Sequence, residues 1–142
     1  MAEINDLQRF LTAQEKDYAT ALRELTAGKK RNHYMWYIFP QLRALGQSET
    51  AYFYGIADMA EAKAYLENAV LKERLISCCQ AMLLHTDKSA LKILGDIDKI
   101  KLKSSMTLFA LANGEENSVF YQVLQQFYHG KLDARTVEIL AL

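Results

Sequence analysis

The sequence has little proline and glycine and no long apolar run, and each shortage excludes a class of protein. One proline and six glycines in 142 residues leave no room for a flexible low-complexity linker. No apolar run approaches the roughly eighteen residues that a membrane-spanning helix needs, and the N-terminus MAEINDLQRF lacks the basic and then apolar pattern of a secretory signal. We therefore expect a single folded domain over residues 1–142, in the cytoplasm and not bound to a membrane.

The sequence also lacks an excess of charge, because 17 basic and 17 acidic side chains give a formal net charge of zero. No global field attracts nucleic acid, so we expect no nucleic-acid partner. The two cysteines, Cys78 and Cys79, are adjacent in a helical pattern, where a disulfide between them would be strained. Free thiols in a reducing compartment are the better interpretation.

Motifs for metals and cofactors are missing as well. The three histidines have no metal-ligand spacing with one another or with the cysteines, so we predict no metal site. No glycine-rich phosphate loop occurs, and we predict no cofactor.

Helical periodicity is what the sequence does have, almost from end to end. Candidate N-caps and glycines divide it into segments; the caps are Asn5, Asn32, Ser48, Asp58, Asn68, Ser89 and either Asp96 or Asp98. The first segment is one helix, or two with a break near Gln14–Asp17. Alternation typical of strands is rare, so we predict an all-α, single compact domain of about seven to nine helices.

The segment Lys29–Ile56, KKRNHYMWYIFPQLRALGQSETAYFYGI, is unusual in combining a cationic triplet with the single tryptophan and the single proline. It is also dense in aromatic residues. Its cations follow a helix that ends at Gly28, where they would stabilise the negative end of the helix dipole. That structural role and a role in binding are both open.

A second polar segment lies on the helix after Asp98. Lys101, Ser104, Ser105 and Thr107 recur there at intervals of three and four residues, so an ammonium group and hydroxyls share one face. In a structural interpretation, these hydroxyls bond back to helix carbonyls and their small size lets another helix approach.

Together the two segments predict a polar and aromatic pocket. One wall would contain Arg31, His33, Trp36 and Gln41, and the other would contain Lys101, Ser104 and Ser105. Cations and hydroxyls suit a phosphate or carboxylate, and an indole face suits a planar ring, so we expect an anionic or nucleotide-like small molecule. The sequence leaves open whether the ligand is only bound or also undergoes hydrolysis or group transfer, for which His33 is the candidate acid or base.

The alternative is a non-enzymatic scaffold or interaction module, whose polar motifs form a structural hydrogen-bond network. In that hypothesis Trp36 packs in the core and Lys101 pairs with Asp96, Asp98 or Glu49. The oligomeric state, and whether the protein is an enzyme, stay open.

The quoted segment, with AEAKAYLENAVLKERL and ILGDIDKIKLKSSMTLFA, resembles the bacterial family catalogued as domain of unknown function 1810. The resemblance covers nearly the whole chain and implies a compact, mainly helical fold without an established activity. It marks as motif residues Arg31, His33, Trp36, Phe39, Pro40, Gln41, Ser48, Tyr54, Lys101, Ser104, Ser105 and Thr107.

Overall fold

The computed structural model describes residues 7–140, and helices dominate this range. They are α1 (Gln8–Ala27), α2 (Met35–Ile38), α3 (Glu49–Tyr54), α4 (Met59–Glu67), α5 (Ala69–Leu83), α6 (Ala90–Leu94), α7 (Asp96–Asn113), α8 (Val119–Tyr128) and α9 (Ala134–Leu140), with a 3₁₀ turn at Arg43–Leu45. The only extended pairing in this range is an isolated parallel bridge between Leu42 and Ile56. None of these helices is both long and apolar enough to cross a membrane. The prediction of an all-α fold with seven to nine helices is confirmed.

Four predicted N-caps begin helices as expected. The side chains of Ser48, Asp58, Asn68 and Ser89 accept backbone N–H groups from the first turns of α3, α4, α5 and α6. These bonds satisfy donors that have no partner within the helix, which is why short polar residues mark the boundaries. The candidate cap Asn5 lies outside the described residues.

Tertiary contacts decide two boundaries: the sequence left open whether the first segment is one helix or two, and the predicted cap of α2 is wrong. Helix α1 runs unbroken through Gln14–Asp17. Its polar Gln14 is buried and donates to the carbonyl oxygen of Tyr37 at 2.7 Å, so a polar residue there does not break the helix. Helix α2 is not capped by Asn32, because the Asn32 side chain donates to the Glu24 carboxylate instead.

The start of α7 also differs from the prediction. Neither Asp96 nor Asp98 is its N-cap, because Gly95 takes that position with φ +94° and the two aspartates lie in the first turn. There their negative charges still interact favourably with the positive end of the helix dipole.

Aromatic rings join four helices through the core. Phe10 of α1 lies 5.2 Å from Tyr65 of α4, Tyr65 lies 5.1 Å from Phe109 of α7, and Phe109 lies 5.9 Å from Phe120 of α8, measured between ring centroids. All four side chains are at most 1% exposed. Rings at these separations add to the stabilisation that comes from their burial.

The two cysteines belong to the same core. Both are buried and free on α5, and burial raises the pKa of Cys78 to about 12. They are therefore core residues of low reactivity.

A buried ion pair fixes α3 and α4 to α1. Arg9 Nη2 lies 3.1 Å from Glu61 Oε1, and the two side chains are 4% and 6% exposed. The same guanidinium donates to the carbonyl oxygens of Phe53 and Gly55 at 2.7 and 2.9 Å. Because these carbonyls end α3, the pair positions that helix and the segment beside it.

We predict that Glu61→Ala lowers the free energy of unfolding by about 3 kcal/mol, because Arg9 would keep a buried charge without its counterion. Urea denaturation would measure the difference. Glu67→Ala, an exposed position on the same helix, is the control and should change stability little. Equal stability of the two variants would contradict the role given to the pair.

Candidate functional site

The two polar segments meet in the folded chain. Lys101 Nζ lies 5.4 Å from the centroid of the Trp36 ring, so a side chain of α7 meets one of α2. Both side chains are partly exposed. Lys101 has no ion-pair partner among residues 7–140. The quadrupole of an indole ring stabilises a cation over its face, and the ammonium group can still interact with an anion on the side away from the ring.

A first cavity of about 420 Å³ lies on one side of Lys101. His33 and Trp36 form one wall, and the first turns of α7 form the other. At its base Lys30 Nζ pairs with Asp98 Oδ2 at 2.8 Å, with side chains 5% and 18% exposed. The charge of Asp98 is therefore already balanced.

A second cavity of about 690 Å³ lies on the other side of Lys101. Its residues come from the Gln41–Ser48 segment, the exposed edge of α7 and the start of α9, where Asp133 and Arg135 border it. A gap of about 10 Å³, lined by Trp36, Gln41 and Lys101, separates the two cavities. We call the two cavities and this gap the α7 cleft; Lys101 borders all three parts.

The structure brings five of the predicted site residues into the α7 cleft. These are His33, Trp36, Gln41, Lys101 and Ser104. Trp36 and Gln41 border the gap from one side and Lys101 borders it from the other. Ser104 lines the second cavity, but it is buried and its hydroxyl donates to the carbonyl oxygen of Ile100 at 3.2 Å, so its proton is already used.

Three predicted residues lie outside the α7 cleft. The Arg31 side chain is exposed, whereas its backbone N–H is bound to Glu24. Ser105 is fully buried, and its hydroxyl has no hydrogen-bond partner among the described residues. Thr107 Oγ1 accepts the N–H of Asp133 at 2.8 Å, which attaches the segment before α9 to α7.

Arg135 is a cleft residue that the sequence did not indicate. It lies in the first turn of α9, is exposed, and has no ion-pair partner within residues 7–140. Nothing in its local sequence distinguishes it from a surface arginine. Only the packing of α9 against α7 brings it to the second cavity.

The loop before α2 is held by one buried carboxylate. Glu24 Oε1 accepts the backbone N–H groups of Arg31 and Asn32 at 2.8 and 3.1 Å and the Tyr34 hydroxyl at 2.8 Å. Burial by itself would raise the pKa of Glu24, but these hydrogen bonds lower the pKa to about 2. The ionised carboxylate thus sets the course of the chain that leads to His33 and Trp36.

Comparison with known proteins gives a family and a solved relative. The family model described as "Protein of unknown function (DUF1810)" matches residues 4–140. The chain is similar to the crystal structure of the conserved hypothetical protein Rv1873 from Mycobacterium tuberculosis, with 44% sequence identity, a TM-score of 0.94 and 99% of each chain covered. No curated protein matches. The predicted resemblance is confirmed, and neither description states an activity, so function rests on the site itself.

We predict that Glu24→Gln lowers the free energy of unfolding at pH 7 by roughly 2 kcal/mol, because the amide accepts the same hydrogen bonds less strongly than a carboxylate. The pKa of Glu24 is lower in the folded protein than the ordinary value of 4.5. The stabilisation is therefore full above about pH 4.5 and is lost as the pH falls towards 2.

The difference between wild type and Glu24→Gln should accordingly shrink between pH 5 and pH 2, as measured by urea denaturation at each pH (about 1 kcal/mol per pH unit or less). Glu138→Gln, at an exposed position on α9, is the control and should follow the wild type. A difference that stays constant with pH would show that the Glu24 carboxylate does not stabilise the loop by its charge.

Two of the buried hydroxyls on α7, those of Ser105 and Thr107, should respond differently to removal. Ser105→Ala should leave the free energy of unfolding unchanged or raise it by up to about 1 kcal/mol, because an unpaired buried hydroxyl is lost. Thr107→Val should lower it by about 1 to 2 kcal/mol, because the Asp133 N–H loses its acceptor. Thermal unfolding would measure both. Destabilisation by Ser105→Ala would instead favour the structural network of the scaffold hypothesis.

Proposed function

This chain belongs to the DUF1810 family of proteins of unknown function, and we propose that its α7 cleft binds an anionic small molecule that carries a planar ring, such as a nucleotide. The observation that carries the proposal is the position of Lys101. This lysine lies over the Trp36 ring at 5.4 Å and borders both cavities and the gap between them. A ligand in either cavity would meet its ammonium group.

The charges around Lys101 support an anionic ligand, because nearby carboxylates have other partners. Asp98 pairs with Lys30 at 2.8 Å. Asp133 accepts the backbone N–H and the hydroxyl of Thr136 at 3.0 and 2.6 Å. Asp96 is 86% exposed and lies 3.9 Å from Lys99. Lys101 and Arg135 take part in none of the ion pairs within residues 7–140, and a phosphate or carboxylate would complement them.

The first cavity supports a planar ring beside that anion. Trp36 lines it with a flat apolar surface, on which a heterocycle would stack. Gln41 borders the adjoining gap and offers both a donor and an acceptor to a ring edge. The volume of about 420 Å³ lies within the range of small-molecule pockets.

A reaction on the bound ligand is a narrower form of the proposal. His33 borders the first cavity and is exposed, so its imidazole is the candidate acid or base for hydrolysis or transfer. The two buried free thiols support the cytoplasm as the setting.

The alternative of a non-enzymatic scaffold draws support from Thr107, whose hydroxyl joins α7 to the segment before α9. The scaffold alternative has less support at Lys101, because it requires this lysine to pair with Asp96, Asp98 or Glu49. None of these pairs occurs among the described ion pairs.

The proposal predicts that adenosine monophosphate changes the fluorescence of Trp36, the single tryptophan, in a saturable way. Lys101→Met should weaken this binding about tenfold or more, because a charge-assisted contact is lost. Lys103→Met, on the same helix but outside the α7 cleft, is the matched control. Inorganic phosphate should compete with the nucleotide.

Thermal unfolding of both variants would establish that they fold. Binding by Lys101→Met as tight as that of the wild type would count against the proposed function, as would the absence of any saturable change for the wild type.

A further inference from the structure

The exposed edge of α7 carries two large apolar side chains beside its unpaired cation. Ile97 and Ile100 are 71% and 60% exposed, which places them among the three most exposed large apolar side chains described, with Leu84. They are three residues apart, so they lie on the same face of the helix. Both line the second cavity, next to Lys101. Apolar side chains exposed together in a concave surface are typical of a binding site.

The two cavities differ in the kind of group that they suit. The first contains Trp36, whereas none of the described residues that line the second is aromatic. In the second cavity the apolar surface comes from Leu45, Ile97 and Ile100, which are all aliphatic. A second planar ring would find no stacking partner there, but an aliphatic chain would bury apolar surface against these side chains.

The two cavities also share the residue that would hold the anion. Asp96, Ile97 and Lys101 line both of them. A ligand whose phosphate lies at Lys101 can therefore extend in two directions. The second cavity has about 690 Å³, far more than a single phosphate needs.

We infer that the ligand of the α7 cleft is a nucleotide whose phosphate carries an aliphatic or acyl chain, with the ring in the first cavity, the phosphate at Lys101 and the chain against Ile97 and Ile100. This inference rests on the proposed function and specifies its ligand class. It concerns binding alone and involves no chemical step.

The test compares two stable probes, adenosine monophosphate and its hexyl phosphate ester. Titrations followed by Trp36 fluorescence and by calorimetry would give both affinities. The wild type should bind the hexyl ester about tenfold more tightly than the unmodified nucleotide, because the chain leaves water. In the double variant Ile97→Gln, Ile100→Gln the ratio of the two affinities should fall to about one.

Val70→Gln is the matched control, because Val70 is an apolar residue 45% exposed on α5 and does not line the cleft. It should keep the wild-type ratio. Since Ile97, Ile100 and Val70 are exposed, their glutamine variants should fold, and thermal unfolding would check this.

Other outcomes would overturn the inference. If adenosine monophosphate binds and the hexyl chain adds nothing, the inference fails and the proposed function stands. If the double variant keeps the advantage of the ester, the chain binds elsewhere and the inference fails. If neither probe binds, both proposals fail. If light scattering finds a dimer that the double variant converts to a monomer, Ile97 and Ile100 form an interface between copies, which also overturns it.

Discussion

At the end of α1 the carboxylate of Glu24 lies buried and accepts hydrogen bonds from Arg31, Asn32 and Tyr34. The chain leaves the helix at Gly28 with φ +82°, a left-handed conformation that favours glycine because other side chains are strained there. From there Lys30 N–H bonds to the Ile93 carbonyl of α6, just before α7 begins. Both walls of the first cavity therefore depend on how this loop is held.

The side of the cleft that α3 forms, at the gap between the two cavities, depends on a second buried charge. Arg9 pairs with Glu61 and takes up the carbonyls that end α3, which borders the gap beside Gln41. Removing a charged group from water is costly unless it is paired and hydrogen-bonded, and the described contacts supply both to Arg9 and Glu61. Buried polar contacts thus hold in place the two segments on either side of the cleft. A binding site that keeps its shape without a ligand needs such support.

Helix α7 belongs both to the core and to the proposed binding site, because its two halves face different surroundings. From Ser104 to Ala110 every residue is buried, and Phe109 joins the aromatic core. Before that, Ile97, Ile100 and Lys101 lie at the surface, with a cation between two cavities. Each cavity is lined by two cationic and two acidic side chains, but Lys101 and Arg135 take part in none of the ion pairs within residues 7–140.

By itself the sequence determined the helical class, four of the N-caps and the two polar segments that contain Trp36 and Lys101, because spacing and capping are local properties of a helix. Tertiary structure decided that these segments touch, that Gln14 is buried rather than a helix break, and that Arg135 joins the cleft. It also decided which hydroxyls of α7 have a hydrogen-bond partner and which lie outside the cleft. Periodicity places Lys101 and Ser105 on one face, but only the packing of other helices on α7 shows that the core begins between them.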